Sequence, residues 1–425
     1  MATQNNNTNV MMSHETIASN APKRLVPELR FKEFNGDGFV KNIFEDIFLF
    51  TTGKNIKQNE ASPEFEIPCV RYGELYHMYN EVIHEVVNKT NLDRRELKFS
   101  DGDEILLPSA GEDPLDIGSA SALTIKNIAI GRTINILKPK YESVYSQIYA
   151  SYYINQKLKR KIASLAKGVS ISNVYNSDLK GLYIILPSLA EQKKIAQFLT
   201  AVESKLQQLN QKKELLSQYK KGVMQQLFSQ QLRFRKDDGS DYPDWEEKRL
   251  GDFVKINQGL QISISKRYLE PVEGSYFYIT NEFLKEKSEK KYFIKNPPNS
   301  VICKKDDILM TRTGNTGQVV TGVEGVFHNN FFRIKFNKSC IKDFLYYFLV
   351  LDKTQNTILR LAGTSTIPDL NHGDFYKLKI SLPSIEEQQK IASYLSAIDS
   401  KIETVTQQIE ATQQFKKGLL QQMFV

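Results

Sequence analysis

Two stretches of this chain carry apolar residues at the spacing of a long α-helix. The apolar residues recur at intervals of three, four or seven in both stretches: Ile195, Leu199, Val202, Leu206, Leu209 and Leu216 in the first, and Ile391, Leu395, Ile398, Ile402, Val405 and Ile409 in the second. Such a stripe, kept over several heptads, predicts a coiled coil. Because a single stripe has to be buried, we expect the two helices to pair through these residues. The alternative is that each helix packs separately on its own domain.

Helix-start signals precede both stripes. Each stripe follows a proline, a serine that can cap the helix, and an acidic residue at the capping-box position: Pro187, Ser188 and Glu191, and then Pro383, Ser384 and Glu387. These signals predict long helices over residues 188–230 and 384–425. Gly222 and Gly418 lie inside them, where glycine costs about 1 kcal/mol relative to alanine. A close contact at each glycine would explain its presence.

The two stretches belong to a long internal repeat. Residues 186–205 (LPSLAEQKKIAQFLTAVESK) match residues 382–401 (LPSIEEQQKIASYLSAIDSK), and 219–228 (YKKGVMQQLF) match 415–424 (FKKGLLQQMF). The sequences before each helix are more diverged, although Gly53 corresponds to Gly259. The repeat predicts a pseudo-two-fold molecule. Its matched segments would do one job twice, and its diverged bodies would do different jobs.

The diverged bodies, residues 25–187 and 231–383, mix strand-like and helical patterns. Strands are predicted at Ile105–Leu107, Ile134–Leu137, Ile308–Met310 and Phe331–Ile334, and helices at Tyr145–Leu165 and Ile341–Leu361. We therefore expect an α+β fold, with two globular domains of mixed helix and sheet separated by the two long helices. Residues 1–24 are Asn-rich and polar, so they predict a disordered tail.

Composition narrows the choice of partner. Lys and Arg number 57 against 49 Asp and Glu, and the net charge of +8 suits a polyanion such as nucleic acid. The three cysteines form no C-x-x-C pair and the five histidines have no zinc-ligand spacing, which favours reduced thiols, a cytoplasmic location and no bound metal. No apolar run reaches the ~18–20 residues of a membrane span, so we expect no membrane partner.

Polar loops after matching strands carry side chains that suit DNA. In the second body, residues 311–318 (TRTGNTGQ) can place Arg312, Asn315 and Gln318 against base edges, since Arg favours guanine and Asn or Gln favour adenine. Lys54, Lys266 and Arg267 follow the paired glycines and are candidates for phosphate contacts. The other candidates are Arg71, Tyr72 and Ser109 in the first body and Thr280, Asn281, Thr313 and Thr316 in the second. Each of these is alternatively an ordinary solvated loop residue.

Known catalytic motifs are absent from the sequence. It contains no P-loop, no G-x-S-x-G and no H-E-x-x-H. Residues 296–299 (NPPN) start like an adenine-methyltransferase motif but lack its aromatic fourth residue, so we interpret them as a turn. We therefore expect a recognition protein that has no catalytic site and binds no cofactor.

The doubled Leu-Pro-Ser-x-x-Glu-Gln segment, at residues 186–192 and 382–388, resembles the hallmark of the DNA-specificity subunits of type I restriction–modification enzymes. Residues 242–245 (YPDW) and 250–252 (LGD) resemble the usual opening of their domains, whereas 34–39 (FNGDGF) departs from it. The resemblance implies that each body is a target-recognition domain reading one half of a bipartite double-stranded DNA site. It also implies that the helices pair antiparallel and set the unread spacer.

The same resemblance implies partners. Two methyltransferase subunits would dock on this chain and methylate adenine in each half-site with S-adenosylmethionine, and two further motor subunits that use ATP and Mg would complete a restriction enzyme. The competing hypothesis is a coiled-coil adaptor that joins two protein-binding domains without touching DNA. A third hypothesis, an autonomous methyltransferase or nuclease, predicts turnover by the isolated chain.

Overall fold

The computed structural model describes residues 26–36, 38–142, 144–285, 288–363 and 366–425. The tail predicted at residues 1–24 lies outside them. Within the described residues the chain divides into two compact units: unit 1 combines Met1–Gln207 with Glu410–Val425, and unit 2 is Gln208–Ile409. Each unit thus contains one diverged body and a segment of each long helix.

Unit 1 is built on two mixed sheets and several short helices. Its strands are β1 (Val40–Ile43), β2 (Phe48–Thr52), β3 (Ile67–Val70), β4 (Val82–Ile83), β5 (Lys89–Thr90), β6 (Phe99–Asp101), β7 (Glu104–Pro108), β8 (Ala110–Gly111), β9 (Ser121–Leu123), β10 (Lys126–Ile130), β11 (Ile134–Pro139), β12 (Ser172–Asn173) and β13 (Tyr183–Leu186). Its helices are α1 (Phe44–Ile47), α2 (Glu74–His77), α3 (Pro114–Ile117), α4 (Gln147–Tyr153), α5 (Lys159–Ser164), α6 (Asn176–Leu179) and the start of α7 (Leu189–Phe228). The sheets have the strand orders β2-β11-β7-β9-β4 and β5-β3-β10-β6, and the pairs β1-β13 and β8-β12 flank them.

Unit 2 repeats this plan with fewer strands. Its strands are β14 (Glu246–Arg249), β15 (Val254–Gln258), β16 (Ser275–Ile279), β17 (Phe293–Lys295), β18 (Ile302–Cys303), β19 (Ile308–Thr311), β20 (Val319–Val320), β21 (Gly325–Phe327), β22 (Phe331–Phe336) and β23 (Lys379–Leu382). Its helices are the second half of α7, α8 (Lys342–Val350), α9 (Asp352–Ala362), α10 (His372–Tyr376) and most of α11 (Ile385–Gln422), whose end lies in unit 1. The sheets run β15-β22-β19-β20 and β17-β16-β21-β18, with β14-β23 as a separate pair.

The predicted strands form the centre of each unit. In β7, Ile105 and Leu107 face one apolar cluster and Leu106 faces another, so the strand is buried on both sides. In β19, Ile308 and Met310 face one cluster and Leu309 faces a second. Side chains alternate between the faces of a strand, so a run that is apolar at every position is what burial on both faces requires.

The two predicted body helices are present but interrupted. Between α4 and α5 the chain forms a π-helix over Ile154–Leu158. In the second body the helix breaks at Leu351, whose extended backbone (φ −63°, ψ 132°) separates α8 from α9. Apolar periodicity predicted the extent of both segments but did not predict the local changes in helix geometry.

The long helices pair antiparallel, as expected. In unit 1, Ile195 and Leu199 of α7 share an apolar cluster with Leu419 and Met423 near the end of α11. In unit 2, Leu227 near the end of α7 shares a cluster with residues at the start of α11, including Ile391 and Leu395. The twelve residues of the predicted stripes are buried, except Leu216 and Ile402, which are half-buried. The helices therefore bury their stripes against each other and against the bodies.

The acidic residue three positions after each capping serine binds an arginine. The hydroxyl oxygens of Ser188 and Ser384 accept from the backbone N–H of Glu191 and Glu387, as helix caps do. The Glu191 carboxylate is fully buried and receives two hydrogen bonds from Arg30, at 2.8 and 2.7 Å. The expectation that these acids complete capping boxes is therefore corrected, because the carboxylate of Glu191 binds Arg30 and that of Glu387 binds Arg233.

The glutamine of the repeated motif also has an internal role. In unit 1, Gln192 accepts from the Ser146 N–H at 2.9 Å and donates to the Pro187 carbonyl at 2.9 Å. In unit 2, Gln388 accepts from the Ile341 N–H at 2.9 Å and donates to the Pro383 carbonyl at 3.0 Å. Each glutamine thereby joins the start of a long helix to the start of a helix in the body of its own unit, α4 in unit 1 and α8 in unit 2.

Candidate nucleic-acid interface

The strands β15, β22 and β19 bring three polar segments of unit 2 to one edge of a sheet. Gln258, at the end of β15, lies opposite Phe332 near the start of β22, and Thr311, at the end of β19, lies opposite Phe331. The residues that follow Thr311 and precede Phe331 therefore emerge together. We call Gln258, Gln261, Arg312, Asn329 and Asp369 the polar edge of unit 2.

Arg312 is held at the centre of this edge by an ion pair. Its Nε donates to Asp369 Oδ1 at 3.0 Å, its Nη2 donates to Asp369 Oδ2 at 2.6 Å, and its Nη1 donates to Gln258 Oε1 at 3.2 Å. The Thr313 hydroxyl also donates to Asp369. Hydrogen bonding from Arg312 lowers the pKa of the Asp369 carboxyl below its ordinary value. The Asp369 carboxyl therefore remains ionised at neutral pH.

Amide side chains lie beside the arginine. Asn329 donates from Nδ2 to Gln261 Oε1 at 3.1 Å, and Gln258 donates from Nε2 to the Asn329 carbonyl at 3.1 Å. Asn281 donates to the Thr313 carbonyl at 3.2 Å, and its own Oδ1 is buried without a hydrogen-bond partner in the described chain. Arginine and amide groups are the side chains that most often contact purine edges in the major groove.

The loop after β19 divides into internal and outward-facing residues. Gly314 (φ 86°) and Gly317 (φ 89°) adopt left-handed backbone that favours glycine, and they shape the turn. The Thr316 hydroxyl is buried and donates to the Pro368 carbonyl at 2.6 Å. Asn315 and Gln318 are exposed. Of these candidates, Asn315 and Gln318 can meet a ligand directly, whereas Thr316 stabilises the loop.

Three other candidates of the second body have different surroundings. Lys266 is exposed on a single 3-10 turn. The Arg267 guanidinium donates to the Ile262 carbonyl at 2.7 Å and lies over the rings of Tyr278 and Tyr292. Its contacts within unit 2 therefore stabilise the fold. Thr280 is buried and its hydroxyl oxygen accepts from the Glu282 N–H. A phosphate contact is therefore geometrically open to Lys266 in this conformation.

Unit 1 presents a corresponding edge made of different side chains. The glycines after β2 and β15 lie in equivalent places, since a Cβ at Gly53 would lie 1.9 Å from the Gly131 carbonyl oxygen and one at Gly259 would lie 2.2 Å from that of His328. Lys54 donates its N–H to the Ile130 carbonyl as Leu260 does to Phe327. Arg132 of unit 1 thus occupies the place of Asn329.

The same backbone hydrogen-bond pattern matches further residues of unit 1 with residues of unit 2. Ser109 donates its N–H to the Thr133 carbonyl at 2.8 Å, as Arg312 does to the Asn330 carbonyl at 2.7 Å. Asn173 lies opposite Ala110, as Asp369 lies opposite Thr313. We call Thr52, Lys54, Ser109, Arg132 and Asn173 the polar edge of unit 1. The two edges share a backbone frame, and their side chains differ at four matched positions: Thr52 and Gln258, Ser109 and Arg312, Arg132 and Asn329, and Asn173 and Asp369.

Arg71 and Tyr72 follow the neighbouring strand β3. Arg71 forms an ion pair with the buried Glu74 (Nε–Oε1 2.7 Å), and Glu74 also accepts from Asn88 at 2.9 Å. Tyr72 is exposed, and its ring lies 6.4 Å from that of Tyr76. Tyr72 is thus open to a ligand, whereas the Arg71 side chain is held against its own turn.

Sequence reasoning missed several residues of the two polar edges: Gln258, Gln261, Asn329 and Asp369 in unit 2, and Thr52, Arg132 and Asn173 in unit 1. The signal for Gln258 was its place directly before the paired glycine, and Arg132 and Asn329 each lie in the short turn before a predicted strand. Asp369 had no local signal, since it reaches Arg312 from 57 residues further along the chain. Its role follows from the tertiary fold alone.

The repeated Tyr-Lys-Lys-Gly and Phe-Lys-Lys-Gly segments have an inner and an outer part. The inner part is the first lysine: Lys220 pairs with Asp399 at 2.5 Å and lies over the Tyr347 ring. Its counterpart Lys416 pairs with Glu203 and with Glu81 (3.3 Å). Burial lowers the pKa of Lys416, but the two carboxylates outweigh it and leave the pKa raised.

The outer part of each segment belongs to an aromatic row. In unit 1 the rings of Phe31 and Phe198 lie 5.8 Å apart and those of Phe198 and Phe415 lie 6.4 Å apart. In unit 2 the corresponding row is Phe234, Tyr394 and Tyr219, with a 2.6 Å bond between the two tyrosine hydroxyls. Phe415 and Tyr219 are 53% and 51% exposed, which leaves each row open at one end.

The two repeated glycines are not explained by a close contact within the chain. A Cβ at Gly222 or Gly418 would meet no atom of the described residues within 4 Å. A close contact with a docked partner therefore stays a prediction for both glycines. Both glycines lie three residues after the exposed aromatic residue, on the same helices as the aromatic rows.

One acidic cluster has the spacing of metal ligands. Oxygens of Asp101, Asp103 and Glu104 lie within 4.8 Å of one another. The Lys138 ammonium pairs with Asp101 and, at 3.2 Å, with Glu104. Glu104 also accepts three backbone N–H bonds. Lys138 thus offsets part of the negative charge of this cluster, and the backbone N–H bonds to Glu104 give it the arrangement of a structural turn.

Comparison with known proteins gives consistent results. Residues 39–218 and 242–413 match the family model described as the type I restriction modification DNA specificity domain. The type I restriction enzyme MjaVIII specificity subunit of Methanocaldococcus jannaschii is 32% identical over 182 residues, which is 43% of this chain and 42% of that protein. The putative type I restriction enzyme MjaX specificity subunit of the same organism is 30% identical over 68% of this chain and 70% of that protein.

A solved structure has a similar fold. The type I restriction–modification S subunit from M. genitalium gives a TM-score of 0.62 at 19% identity, covering 94% of this chain and 99% of that one. Among the described residues, no helix combines the length and apolar character needed to cross a bilayer.

Proposed function

This chain belongs to the type I restriction–modification DNA-specificity family, and on that premise we propose that its two units each read one half of a bipartite DNA site. The observation that carries the proposal is the pair of polar edges. They lie on equivalent backbone frames, yet Ser109 and Asn173 of unit 1 stand where unit 2 has Arg312 and Asp369. A shared frame with different donors and acceptors suits two readers of different sequence.

The long helices would set the unread spacer between the half-sites. Each of α7 and α11 passes from one unit into the other without a break in the helix. A rigid helix extends by ~1.5 Å per residue, so added helical residues would lengthen the gap in the recognised sequence. The number of residues in the helices would thus determine the number of unread base pairs between the half-sites.

The aromatic rows would dock two copies of one partner, which we propose to be adenine methyltransferase subunits. Each row ends in an exposed aromatic ring, and exposed aromatic residues are typical anchors of protein interfaces. Because the rows are related by the internal repeat, a single type of partner would recognise both. The chain itself would perform no reaction: S-adenosylmethionine would be bound by the methyltransferases, and ATP and Mg by optional motor subunits.

The test is to co-express this chain with its methyltransferase and map methylated adenines by single-molecule sequencing. We expect a bipartite motif with a fixed gap. Replacing residues 231–383 with the corresponding body of another family member should change one half of the motif only. Seven residues added to both helices should widen the gap without changing either half. A contiguous motif would contradict the proposal, as would methylation that is independent of this chain.

The adaptor hypothesis is separated from this proposal by salt. A chain that neutralises DNA phosphates binds DNA with an affinity that falls steeply as salt rises, with a slope of ~0.9 in log–log units per phosphate. Binding of a random-sequence duplex by the full complex, measured between low and physiological salt, should follow that law. An adaptor that joins two proteins would give no such dependence.

A further inference from the structure

We propose that Asp369 is a positioning residue that fixes Arg312 to read a guanine in one half-site. This inference rests on the proposed function, since it concerns how unit 2 would recognise DNA. It adds the base that Arg312 reads and the side chains that orient it. The argument depends on which N–H groups of Arg312 are occupied, on the rigidity of its surroundings and on the charge of the pair.

The Asp369 carboxylate binds Arg312 along the edge formed by Nε and Nη2, and it does not occupy the end formed by the two terminal nitrogens. A guanidinium has five N–H groups. Asp369 receives the one on Nε and one on Nη2, and Gln258 receives one on Nη1. Each terminal nitrogen keeps one N–H without a partner among the described residues. The Arg312 side chain is 22% exposed, so part of it is open to a ligand.

The backbone on both sides of the pair is also fixed. Arg312 donates its N–H to the Asn330 carbonyl at 2.7 Å and accepts from the Leu370 N–H at 2.9 Å. Asp369 is bridged to Thr313 through backbone and side chain. The long arginine side chain therefore has few conformations to lose on binding, and this pre-organisation favours affinity and precision.

Two parallel donors select guanine among the bases. In the major groove, guanine presents two adjacent acceptors, O6 and N7, whereas adenine presents one acceptor beside a donor. A pair of N–H groups therefore matches guanine on both contacts and meets a donor on adenine. Thymine presents one acceptor beside its methyl group, and cytosine presents an amino donor and no acceptor.

The neutral charge of the pair distinguishes a base contact from a phosphate contact. Arg312 and Asp369 together carry no net charge, and the Asp369 side chain is itself 43% exposed. A carboxylate at this distance repels a phosphate and offsets the attraction of the guanidinium. The ion pair thus favours the uncharged edge of a base over the DNA backbone.

Unit 1 has no arginine–aspartate pair at the equivalent positions. Ser109 stands in the place of Arg312, and Asn173 in that of Asp369. The guanine contact would therefore belong to the half-site read by unit 2 and would have no counterpart in the other half-site.

The experiment measures adenine methylation by the full complex on duplexes that carry the motif found by sequencing. Each guanine of the motif is replaced in turn by 7-deaza-2′-deoxyguanosine, which removes the N7 acceptor and keeps base pairing. For the wild type we expect one guanine of one half-site to slow methylation at least about 10-fold when substituted. Arg312→Ala and Arg312→Lys should methylate the natural site slowly and lose sensitivity to that substitution.

Asp369 is tested through the discrimination that it supports. Asp369→Asn should lower the preference for guanine over adenine at that position at least about 3-fold, and Asp369→Glu should restore part of it. Asp306→Asn, which changes a fully exposed carboxylate of the same unit, should leave the preference unchanged. Arg312→Lys keeps the charge, so it decides the question if Arg312→Ala does not fold.

Several results would overturn the inference. A unit 2 half-site without guanine would do so, as would sensitivity to 7-deazaguanine that Arg312→Lys leaves intact. A uniform loss of affinity on all duplexes with a lower salt slope would make Arg312 a phosphate contact. Unchanged discrimination in Asp369→Asn would remove the positioning role. If methylation did not depend on this chain at all, the proposed function would fail, and that outcome is visible in the wild type before any variant is made.

Discussion

Arg30 and Glu191 form a bidentate ion pair in which the carboxylate is completely buried and the arginine side chain is 7% exposed. The same relationship joins Arg233 to Glu387 in unit 2, at 3.2 and 2.9 Å. In both units the arginine belongs to a Leu-Arg-Phe segment and the glutamate to the repeated motif at the start of a long helix. The motif thus has a structural role, because it attaches each long helix to its own body.

Removing the glutamate should destabilise the unit that contains it. Glu191→Ala removes the carboxylate that pairs with the buried Arg30 guanidinium, and breaking a buried ion pair typically costs about 3–5 kcal/mol. Glu387→Ala should cost less, because Arg233 is 25% exposed and keeps the carbonyl oxygens of Tyr242 and Pro243. Chemical denaturation of the full chain, followed by hydrogen exchange of each unit, measures both effects.

The single tryptophan supplies an internal control. Trp245 donates its Nε1–H to Glu387 at 3.0 Å, so its native fluorescence should change in Glu387→Ala and remain unchanged in Glu191→Ala. Equal destabilisation of both units by either variant would contradict the separate attachment of each helix.

The fold could be predicted from the sequence wherever burial follows from periodicity. The stripes of α7 and α11, the strands β7 and β19 and the doubled architecture are all consequences of apolar spacing and repetition, which tertiary packing reinforces. The π-helix at Ile154–Leu158 and the break at Leu351 were not predictable, because both depend on local backbone geometry.

The candidate site could be predicted less completely. The sequence singled out Arg312, because an arginine in a Gly-rich loop after a strand is visible locally. It did not single out Asp369, because its relation to Arg312 exists only in three dimensions. The residue types of Arg267 and Thr316 also did not show that both side chains form hydrogen bonds within unit 2. Such contacts depend on how the chain folds.

The aromatic rows lead to a prediction about assembly. Tyr219→Ala and Phe415→Ala each remove the exposed end of one row, so each should weaken one of two methyltransferase sites by about 10-fold or more. Native mass spectrometry should then detect complexes with one methyltransferase, and the double variant should assemble poorly. Leu359→Ala, which removes a similarly exposed apolar side chain on α9, should assemble normally. Full assembly of the double variant would contradict docking on the rows.

His328 should make unit 2 less stable in acid. Burial, helped by the nearby Arg267, lowers the pKa of this histidine to about 4, and its Nδ1 accepts from the Asn330 N–H at 3.0 Å. The folded state thus keeps His328 neutral where the unfolded chain takes up a proton, so stability falls as pH decreases from about 6.5 towards 4. We expect a loss of about 1–2 kcal/mol at pH 5 relative to pH 7.

The histidine's share of this loss is measured with a variant that cannot titrate. His328→Gln keeps an acceptor and should lose less stability between pH 7 and pH 5 than the wild type. Denaturation followed by Trp245 fluorescence reports on unit 2 in both proteins. An identical pH dependence would assign the effect to other groups.

Arg132 provides the contrast with Arg312. It is exposed in the turn between β10 and β11, its N–H donates to the Asn55 carbonyl at 2.8 Å, and its side chain has no ion-pair partner among the described residues. An arginine whose charge is not neutralised by a carboxylate is suited to a DNA phosphate. Arg132→Ala should therefore weaken binding of the complex to all duplexes and lower the salt slope by about 1.

Two variants serve as controls for this prediction. Arg312→Ala should leave the salt slope unchanged. Arg235→Ala, at another exposed arginine, should change neither the slope nor the affinity. A change of preference at one base of the unit 1 half-site, with an unchanged slope, would instead make Arg132 a base-reading residue.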